Sequence, residues 1–460
     1  MNGTWDYAIR DSAAARPVEF DGHIVVPFPV ESQLSGVMRR VAPNERLWYR
    51  RTFSLPDVPE GHRWLLLFGA VDWLARVYLN GEQVGEHRGG YDPFTLDITD
   101  ALIPQGEQEL VVSVWDPTDQ GDQPRGKQVL DPHGIWYTAV TGIWQTVWLE
   151  PVADVHITGL RIVPDVDAGV VTVSVRAANA AGAARVRAVA SAEGRPVAQA
   201  EGTLAGVVTL RIPNARLWSP DDPFLYDLTV RLEDSDSVQS YFGMRKISVD
   251  RAEDGHQRLF LNNQPLFQFG PLDQGWWPDG LYSAPTDEAL RYDVEVTRRL
   301  GFNIARKHVK VEPARWYYHC DRLGLMVWQD MPSGNNDSDE GKEEFAAELR
   351  RVVDALYNHP AIVMWVPFNE GWGQHDTERY VEWLKQYDPT RLVNNASGWS
   401  DRGVGDVVDI HRYPGPGMPR LEETRAAVLG EFGGLGLPVE GHLWVNRDNW
   451  GYRTYDTREA

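Results

Sequence analysis

Alternating apolar and polar positions dominate the first third of the chain and predict short β-strands. Residues 47–53 and 109–115 change character at almost every step, as a half-buried strand does. Asn80-Gly81 lies between two further segments of this kind and favours a tight hairpin turn. Because no helical pattern separates these segments, we predict a jelly-roll-like β-sandwich over residues 1–151.

Residues 152–249 predict a second sandwich. Residues 170–175 and 225–230 have the composition of strands, and Ala- and Gly-rich stretches separate such segments. A region of roughly 100 residues with this many short strands is typical of an immunoglobulin-like β-sandwich. We therefore predict that this domain ends at residue 249.

From residue 250 onward, strand-like and helical segments alternate, which predicts a (β/α)8 barrel. Thr286 and the acidic residues after it predict a helix that ends near Gly301, and residues 343–356 predict another. The predicted strands are residues 266–269, 303–307, 325–329, 362–368, 392–395, 407–411 and 427–431. These are seven strands, and the region that contains them has roughly 210 residues, where a typical barrel has about 250. We therefore expect the barrel domain, residues 250–460, to be truncated before strand 8.

Composition and charge narrow the class of partners. The chain has 42% hydrophobic and 24% charged residues, which is typical of a folded soluble protein. Its formal net charge of −21 disfavours nucleic acid as a partner, because phosphate would be repelled. No apolar run approaches about 18 residues, so we expect no membrane span. The single cysteine allows no intramolecular disulfide and the first residues lack a signal-peptide pattern, so we expect a cytoplasmic protein.

Two glutamates stand where a barrel enzyme places its catalytic groups. Glu370 follows the apolar residues 362–368 and Glu431 follows residues 427–430, so both lie at the carboxyl ends of predicted strands. A single glutamate at such a place is more often a cap or an ion-pair partner. Two of them, each beside glycine, favour glycoside hydrolysis, which needs one carboxyl group to protonate the leaving oxygen and another at the anomeric carbon.

Over nearly its whole length the chain resembles glycoside hydrolase family 2. Asn369-Glu370-Gly371-Trp372 is similar to the family's acid/base signature on strand 4, and Gly430-Glu431-Phe432-Gly433-Gly434 is similar to its nucleophile region on strand 7. The motifs that resemble the family's sandwich domains are Trp48-Tyr49-Arg50-Arg51, Asn80-Gly81, Gly142-Ile143-Trp144-Gln145, Leu217-Trp218-Ser219-Pro220, Leu225-Tyr226 and Phe242-Gly243-Met244-Arg245. The resemblance implies a retaining exo-β-glycosidase with Glu370 as general acid/base and Glu431 as nucleophile.

The resemblance also implies which residues contact the sugar. Asn369 would bind the 2-hydroxyl group, and Tyr413 would bond to the nucleophile. The implied substrate-binding residues are Arg306 and His308 after strand 2, Trp328 and Asp330 after strand 3, Asn369, Trp399 after strand 5, Tyr413 after strand 6, and Asp273 on the loop after strand 1. Two of them have ordinary alternatives, because His308 could be a buried structural histidine and Trp399 a packing residue.

The substrate stays open at the level of sequence. A β-galactoside is the leading expectation, and β-glucuronides, β-mannosides and arabinosides or galactofuranosides are alternatives. Residues 330–335 lack the Glu-x-His pair with which some β-galactosidases of the family bind a metal, so we expect no metal and no cofactor. A homo-oligomer is also left open. An alternative of another class is an inactive carbohydrate-binding fragment that lacks the end of the barrel.

Overall fold

A computed structural model describes residues 1–59, 61–233, 235–443 and 449–460, and it begins with a β-sandwich. The strands of this first sandwich are Gly3–Asp11 (β1), Gly22–Val26 (β2), Glu45–Phe53 (β3), His62–Phe68 (β4), Val71–Asp72 (β5), Leu74–Leu79 (β6), Glu82–Arg88 (β7), Phe94–Asp97 (β8), Gln108–Trp115 (β9), Gln128–Val129 (β10), Tyr137–Thr138 (β11), Gly142–Ile143 (β12) and Val147–Ala153 (β13). Two 3-10 turns, Thr99–Ala101 and Thr118–Gln120, lie on either side of β9.

The first sandwich packs a six-stranded antiparallel sheet, ordered β2-β1-β3-β9-β6-β7, with a three-stranded sheet, ordered β13-β4-β8. The predicted hairpin joins β6 to β7, where Asn80 and Gly81 both have positive φ, 51° and 90°. Both central residues of a two-residue type I′ hairpin turn need positive φ, and Asn and Gly adopt positive φ more readily than other residues. Apolar side chains of both sheets, such as Trp5 of β1 and Leu66 of β4, belong to a common core.

The second sandwich has the immunoglobulin-like form that its sequence predicts. Its strands are His156–Asp165 (β14), Val170–Ala178 (β15), Arg185–Ala192 (β16), Arg195–Thr203 (β17), Val208–Arg211 (β18), Tyr226–Leu232 (β19) and Asp236–Phe242 (β20). A three-stranded sheet, β14-β15-β18, faces a four-stranded sheet, β17-β16-β19-β20. Every second residue of β19 is buried, so one face of that strand enters the core and the other faces solvent.

A small antiparallel sheet of Ile247–Arg251 (β21), Gln257–Leu261 (β22) and Gln264–Pro265 (β23) leads into the barrel. The barrel strands are Leu272–Asp273 (β24), Ile304–Lys307 (β25), Met326–Asp330 (β26), Ile362–Val366 (β27), Leu392–Val393 (β28), Val407–Arg412 (β29) and Ala426–Phe432 (β30). The helices between them are Asp287–Arg299 (α1), Ala314–Leu323 (α2), Asp339–Leu356 (α3) and Thr377–Tyr387 (α4). Strands β24 to β28 form one parallel sheet in chain order, and β29 pairs in parallel with β30.

Seven barrel strands are therefore present in the described part of the chain, as the sequence predicts. After β30, Leu435–Gly436 (β31) and Arg453–Thr454 (β32) pair in parallel with each other. Among the described residues, neither of them pairs with β24. The prediction that strand 8 is missing also concerns residues 444–448, which lie outside the described part of the chain.

The position predicted for the first barrel strand is wrong. The sequence places it at residues 266–269, whereas the parallel pairing with β25 begins at Leu272, opposite Arg306. The Asn303 side chain accepts a hydrogen bond from the Phe269 amide at 2.9 Å and donates one to the Phe267 carbonyl at 2.8 Å. One side chain thus provides bonds that a neighbouring strand would otherwise supply, and the Phe267 side chain stays 82% exposed.

Side-chain caps set the starts of two helices. The Thr286 hydroxyl accepts a hydrogen bond from the Ala289 amide at 3.1 Å and begins α1, as predicted. The Ser338 hydroxyl accepts one from the Gly341 amide at 3.0 Å, so α3 begins four residues before the predicted start at residue 343. Among the described residues, no helix is both long and apolar enough to cross a membrane.

Both sandwiches contact the barrel through buried polar groups. The Trp218 indole of the second sandwich donates to the Asp321 carbonyl at 2.8 Å, and Arg245 donates to the Pro360 and Ile362 carbonyls. On the first sandwich, the Tyr91 amide donates to Glu348 on α3 at 2.9 Å. Hydrogen bonds of this kind fix the direction of each contact as well as its strength. The first sandwich is thereby held against the same barrel whose strand ends carry the two predicted catalytic glutamates.

Candidate active site

Glu370 occupies a strained backbone position just after β27. Its φ of 54° lies in the left-handed region, which costs a residue with a side chain about 1 kcal/mol or more. The Glu370 amide donates to the Ser397 carbonyl at 2.8 Å, and Gly371 continues the turn with a φ of 83°. The turn leaves the Glu370 side chain 26% exposed, so this carboxylate is accessible from outside the barrel.

Glu431 lies in β30 and is much more enclosed, with 8% of its side chain exposed. Arg306 donates to its Oε1 at 2.9 Å, and the Tyr413 hydroxyl donates to its Oε2. Burial by itself would raise the pKa of Glu431, but the charges of Arg306, His308 and His411 outweigh burial and hold the pKa below its usual value. Glu431 is therefore held as a carboxylate in the folded protein.

His411 connects the two glutamates. Its Nδ1 lies 2.6 Å from Glu370 Oε1 and 3.5 Å from Glu431 Oε2. One ring nitrogen of His411 and one carboxylate oxygen of each glutamate all lie within 4.8 Å of one another. The carboxylate oxygens of Glu370 and Glu431 are therefore at most 4.8 Å apart at this point. The same three atoms are close enough to share a metal ion. The fold thus brings together two carboxylates that lie on different strands.

A hydrogen-bonded chain leads from His411 into the barrel interior. His411 Nε2 lies 2.8 Å from the Ser397 hydroxyl, which in turn donates to Asp409 Oδ2 at 2.6 Å. Asp409 also accepts from the Asn394 side chain at 2.7 Å and from the Gly430 amide at 2.6 Å. This chain fixes the imidazole ring from behind. Sequence reasoning did not select His411, although its place at the carboxyl end of a predicted strand was the available signal.

Arg306 organises the floor of the site. Its Nε and Nη2 donate to Asp330 at 3.0 and 2.8 Å, and Nη2 also donates to Asn369 Oδ1 at 2.9 Å. His308 Nδ1 lies 3.0 Å from the same Asp330 carboxylate. Burial would raise the pKa of Asp330, yet Arg306 and His308 lower it below its usual value. Arg306 consequently ties Asp330, Asn369 and Glu431 into one charged network.

Most of the predicted site residues come together at this end of the barrel. They are Glu370, Glu431, Asn369, Arg306, His308, Asp330 and Tyr413, joined by the bonds above. Trp399 stands beside them with its ring centroid 5.7 Å from that of His411, and it is 65% exposed. An exposed aromatic face at the edge of a polar pocket is suited to stack on a sugar ring.

Two predicted residues have hydrogen-bond partners outside this network. Trp328 is buried two positions before Asp330 on β26, and its indole donates to the Gln268 side chain at 2.7 Å. Asp273 accepts from Lys307 at 2.7 Å. Because neighbouring residues of a strand point to opposite faces, Lys307 and its partner Asp273 lie on the other side of β25 from Arg306.

The first sandwich also reaches this end of the barrel, which the sequence did not predict. The amides of Arg125 and Gly126 both donate to the Ser333 carbonyl at 3.0 Å, on the loop after β26. The Trp136 ring meets the Trp372 ring edge-on, with centroids 5.1 Å apart, two residues after Glu370. The site is therefore formed by two domains.

Three family models match the chain in the order of its domains. The model of the glycosyl hydrolase 2 galactose-binding domain-like family matches residues 32–139, in the first sandwich. The glycosyl hydrolases family 2 model matches residues 155–245, in the second sandwich. The glycosyl hydrolases family 2 TIM barrel domain model matches residues 283–426. Together these ranges cover most of the chain.

Curated relatives and solved structures agree with the family models. A β-galactosidase of Thermoanaerobacter pseudethanolicus is 28% identical over 346 residues, which are 72% of this chain and 45% of that protein. A β-glucuronidase of Paenibacillus borealis is 27% identical over 411 residues, 80% of this chain and 67% of that protein. The chain spans less than half the length of the first of these relatives.

The β-D-glucuronidase structure from Dictyoglomus thermophilum superposes with a TM-score of 0.75 at 20% identity, over 90% of this chain and 75% of that one, and shows the same fold. Models of this family thus match parts of both sandwiches and of the barrel, in chain order. The chain belongs to glycoside hydrolase family 2.

Proposed function

We propose that the protein is a retaining exo-β-glycosidase in which Glu431 is the nucleophile and Glu370 the general acid/base. The observation that carries the proposal is the pair itself. The two carboxylates have oxygens within 4.8 Å of each other, and retaining glycosidases hold their carboxyl groups about 5–5.5 Å apart, whereas inverting enzymes need room for a water between them.

The different surroundings of the two glutamates support different roles. A nucleophile must be ionised when the substrate arrives, and Glu431 is kept so by Arg306 and the nearby histidines. An acid/base catalyst must exchange protons with the leaving group and then with water, and Glu370 is the more exposed of the two. The Glu431 carboxylate would attack the anomeric carbon while the Glu370 carboxyl group gives its proton to the departing oxygen. Water, deprotonated by Glu370, would then release the sugar from the Glu431 ester.

Neighbouring side chains have supporting roles in this scheme. Because Arg306 occupies Asn369 Oδ1, the amide nitrogen of Asn369 is left to donate to the 2-hydroxyl group of the sugar, a contact that strengthens in the transition state. Tyr413 donates to Glu431 Oε2 and stacks on Tyr452, with ring centroids 3.8 Å apart. The stacking fixes the phenol, so that it orients the attacking oxygen.

A β-galactoside is the first glycone to test, and a β-glucuronide is the second. The Thermoanaerobacter relative is named a β-galactosidase and the Paenibacillus relative a β-glucuronidase. β-Mannosides and arabinosides or galactofuranosides complete the panel. The competing function, binding of carbohydrate without hydrolysis, agrees with the sandwiches but leaves the paired glutamates and their charged network without a use.

A panel of nitrophenyl β-glycosides tests the proposal. We expect one or more of them to be hydrolysed, and we expect proton NMR to detect the β-anomer of the free sugar as the first product. Release of the α-anomer first would show inversion and contradict the nucleophilic role of Glu431. Binding of the sugars with no hydrolysis of any glycoside in the panel would support the carbohydrate-binding alternative.

A further inference from the structure

Lys127, on the first sandwich, is a mostly buried cation that lacks an anionic partner among the described residues. It is 8% exposed. Among the described residues, its Nζ has no carboxylate within ion-pair distance and no hydrogen-bond acceptor, and it lies over the Trp136 ring, 4.9 Å from the centroid. Burying most of a lysine side chain with no carboxylate beside its ammonium group is unfavourable, so this arrangement requires an explanation.

Two other buried lysines show how the same fold normally treats such a group. Lys307 Nζ lies 2.7 Å from Asp273 and 2.9 Å from Glu312, and Lys310 Nζ lies 2.9 Å from Glu312. Both ammonium groups are thus neutralised by carboxylates at contact distance. Lys127 differs from them in having only an aromatic face, which offsets less of the cost of burial.

The backbone around Lys127 is fixed against the catalytic end of the barrel. Gly126 has a φ of 60°, and a Cβ placed there would lie 2.5 Å from the Val309 carbonyl, immediately after His308. The Gly126 amide also donates to the Ser333 carbonyl at 3.0 Å, three residues after Asp330. Lys127 therefore does not reach the site on a free loop but stands on a segment packed between two catalytic-end loops.

Aromatic contacts lead from Lys127 to Trp372, two residues after Glu370. The Trp136 ring beneath its ammonium group meets the Trp372 ring, and Arg125 lies over both rings, 5.4 and 5.2 Å from their centroids. Burial lowers the pKa of Lys127, while the charges of Glu431 and Glu370 act in the opposite direction. The ammonium group thus lies in the electrostatic field of the two catalytic carboxylates without touching either.

We propose that Lys127 is a specificity-determining residue that binds an anionic group, a carboxylate, on the sugar held in the barrel. The inference rests on the proposed glycosidase site. A substrate carboxylate would give Lys127 the anionic partner that the described residues do not supply, and the contact would be charge-assisted and largely shielded from water. A neutral hydroxymethyl group at the same place would gain only an ordinary hydrogen bond. The favoured substrates are therefore β-glycosides of uronic acids.

Binding of free sugars tests this proposal without requiring turnover. Titration calorimetry on the whole chain would compare D-glucuronate with D-glucose and D-galacturonate with D-galactose, in the unmodified protein, Lys127→Met and Lys127→Arg. We expect one of the acids to bind about tenfold more tightly than its neutral partner, Lys127→Met to lose that preference, and Lys127→Arg to keep most of it. Lys342→Met, which removes an exposed charge on α3, is the matched control, and it should not change the affinity for either the acid or its neutral partner.

Thermal unfolding separates a binding role from a structural one. Lys127→Met replaces an unpaired buried cation by an apolar side chain of similar length, so we expect its melting temperature to equal or exceed that of the unmodified protein. A preference for the acid that persists in Lys127→Met, or a neutral sugar that binds more tightly than its acid, would overturn the proposal. A clear loss of stability in Lys127→Met would contradict it too, because the lysine would then be needed by the fold.

Kinetics with nitrophenyl glycosides distinguish this inference from the proposed function. In one outcome, the unmodified protein and Lys127→Met hydrolyse neutral glycosides equally well and neither prefers uronides. This outcome contradicts the role of Lys127 and agrees with the proposed glycosidase function. Binding of a uronate that depends on Lys127, in a chain that hydrolyses no β-glycoside, contradicts the proposed function and leaves the binding role standing. A chain that binds no sugar overturns both.

Discussion

Two regions of the molecule bury acidic side chains, and they treat them in opposite ways. At the barrel mouth, Glu431 and Asp330 lie beside the Arg306 guanidinium and His308, and the pKa of each carboxyl group lies below its usual value. In the acid cluster of the first sandwich, defined by Glu31, Asp72 and Asp116, burial raises the pKa instead, to about 8 for Glu31 and about 6 for Asp116.

The opposite pKa shifts follow from the groups that neighbour each carboxylate and not from its degree of burial. Glu31 is 9% exposed and Glu431 8%, yet Glu31 Oε2 accepts a hydrogen bond from the neutral Thr141 amide at 3.0 Å and no cation forms an ion pair with it among the described residues. None of the three acids of the cluster forms an ion pair within the described chain. A carboxyl group buried without a neighbouring cation favours its protonated form. A carboxyl group buried beside a cation favours its ionised form, which can take part in catalysis.

The largest expected effect separates these two regions by activity. Glu431→Gln keeps the shape of the side chain but removes the attacking oxygen, so kcat should fall by about 10⁴-fold or more. Glu31→Gln is the matched control, since it makes the same change at a similar depth, and its kcat should stay within about twofold of the unmodified value. Steady-state kinetics on the best nitrophenyl glycoside of the panel measure both. Comparable losses of kcat in the two variants would contradict the distinction between a catalytic barrel mouth and a non-catalytic acid cluster.

A second prediction concerns Glu370 and depends on the leaving group. Glu370→Ala should lower kcat/KM by about 10²–10⁴-fold for alkyl glycosides, whose leaving oxygen needs a proton. Dinitrophenyl glycosides need little protonation, and their kcat/KM should fall much less. The measurement is a series of substrates with graded leaving-group pKa values. A uniform loss across the series would mean that Glu370 does not act as the acid.

A third and smaller effect is expected at His411, which holds Glu370 Oε1 at 2.6 Å. His411→Gln should lower kcat/KM for alkyl glycosides by about tenfold, because one hydrogen bond that orients the acid is lost. The same variant should change dinitrophenyl hydrolysis far less. Equal losses on both substrates would place His411 in substrate binding, away from the positioning of Glu370.

These side chains also show what the sequence could and could not predict. Glu370 and Glu431 were predictable because each directly follows an apolar strand, and parallel strands end at a common face. His411 occupies the same kind of position, but one histidine within a strand pattern carried no further signal. Lys127 was not selected, because its position near the site depends on a contact between domains that are distant in sequence, and no local pattern indicates such a contact.

The smallest predicted effects are on stability, and they differ in sign between the two regions. The folded-state pKa of Glu31 is raised, so its contribution to stability is present below the unfolded pKa and lost as pH rises toward about 8. Glu31→Gln should therefore melt higher than the unmodified protein at pH 9 and close to it at pH 5. The pKa of Glu431 is lowered, so its contribution is present at neutral pH and lost in acid, and Glu431→Gln should melt lower at pH 7.

Melting curves of both variants from pH 4 to pH 9 test this pair of predictions. For each variant, the difference in melting temperature from the unmodified protein is followed against pH. If this difference changes with pH in the same direction for both variants, the acid cluster and the barrel mouth do not differ as described. The comparison needs no substrate, so it stays informative whatever the glycone is.

The anomeric configuration of azide products tests the central assignment most directly. Glu370→Ala and Glu431→Ala would each be incubated with a dinitrophenyl β-glycoside and sodium azide, and the products analysed by NMR. In Glu370→Ala, azide should attack the sugar ester on Glu431 and give the β-glycosyl azide. In Glu431→Ala that ester cannot form, so azide should give the α-azide or no product. A β-azide from Glu431→Ala, or none from a Glu370→Ala variant that still releases dinitrophenol, would contradict the roles assigned to the two glutamates.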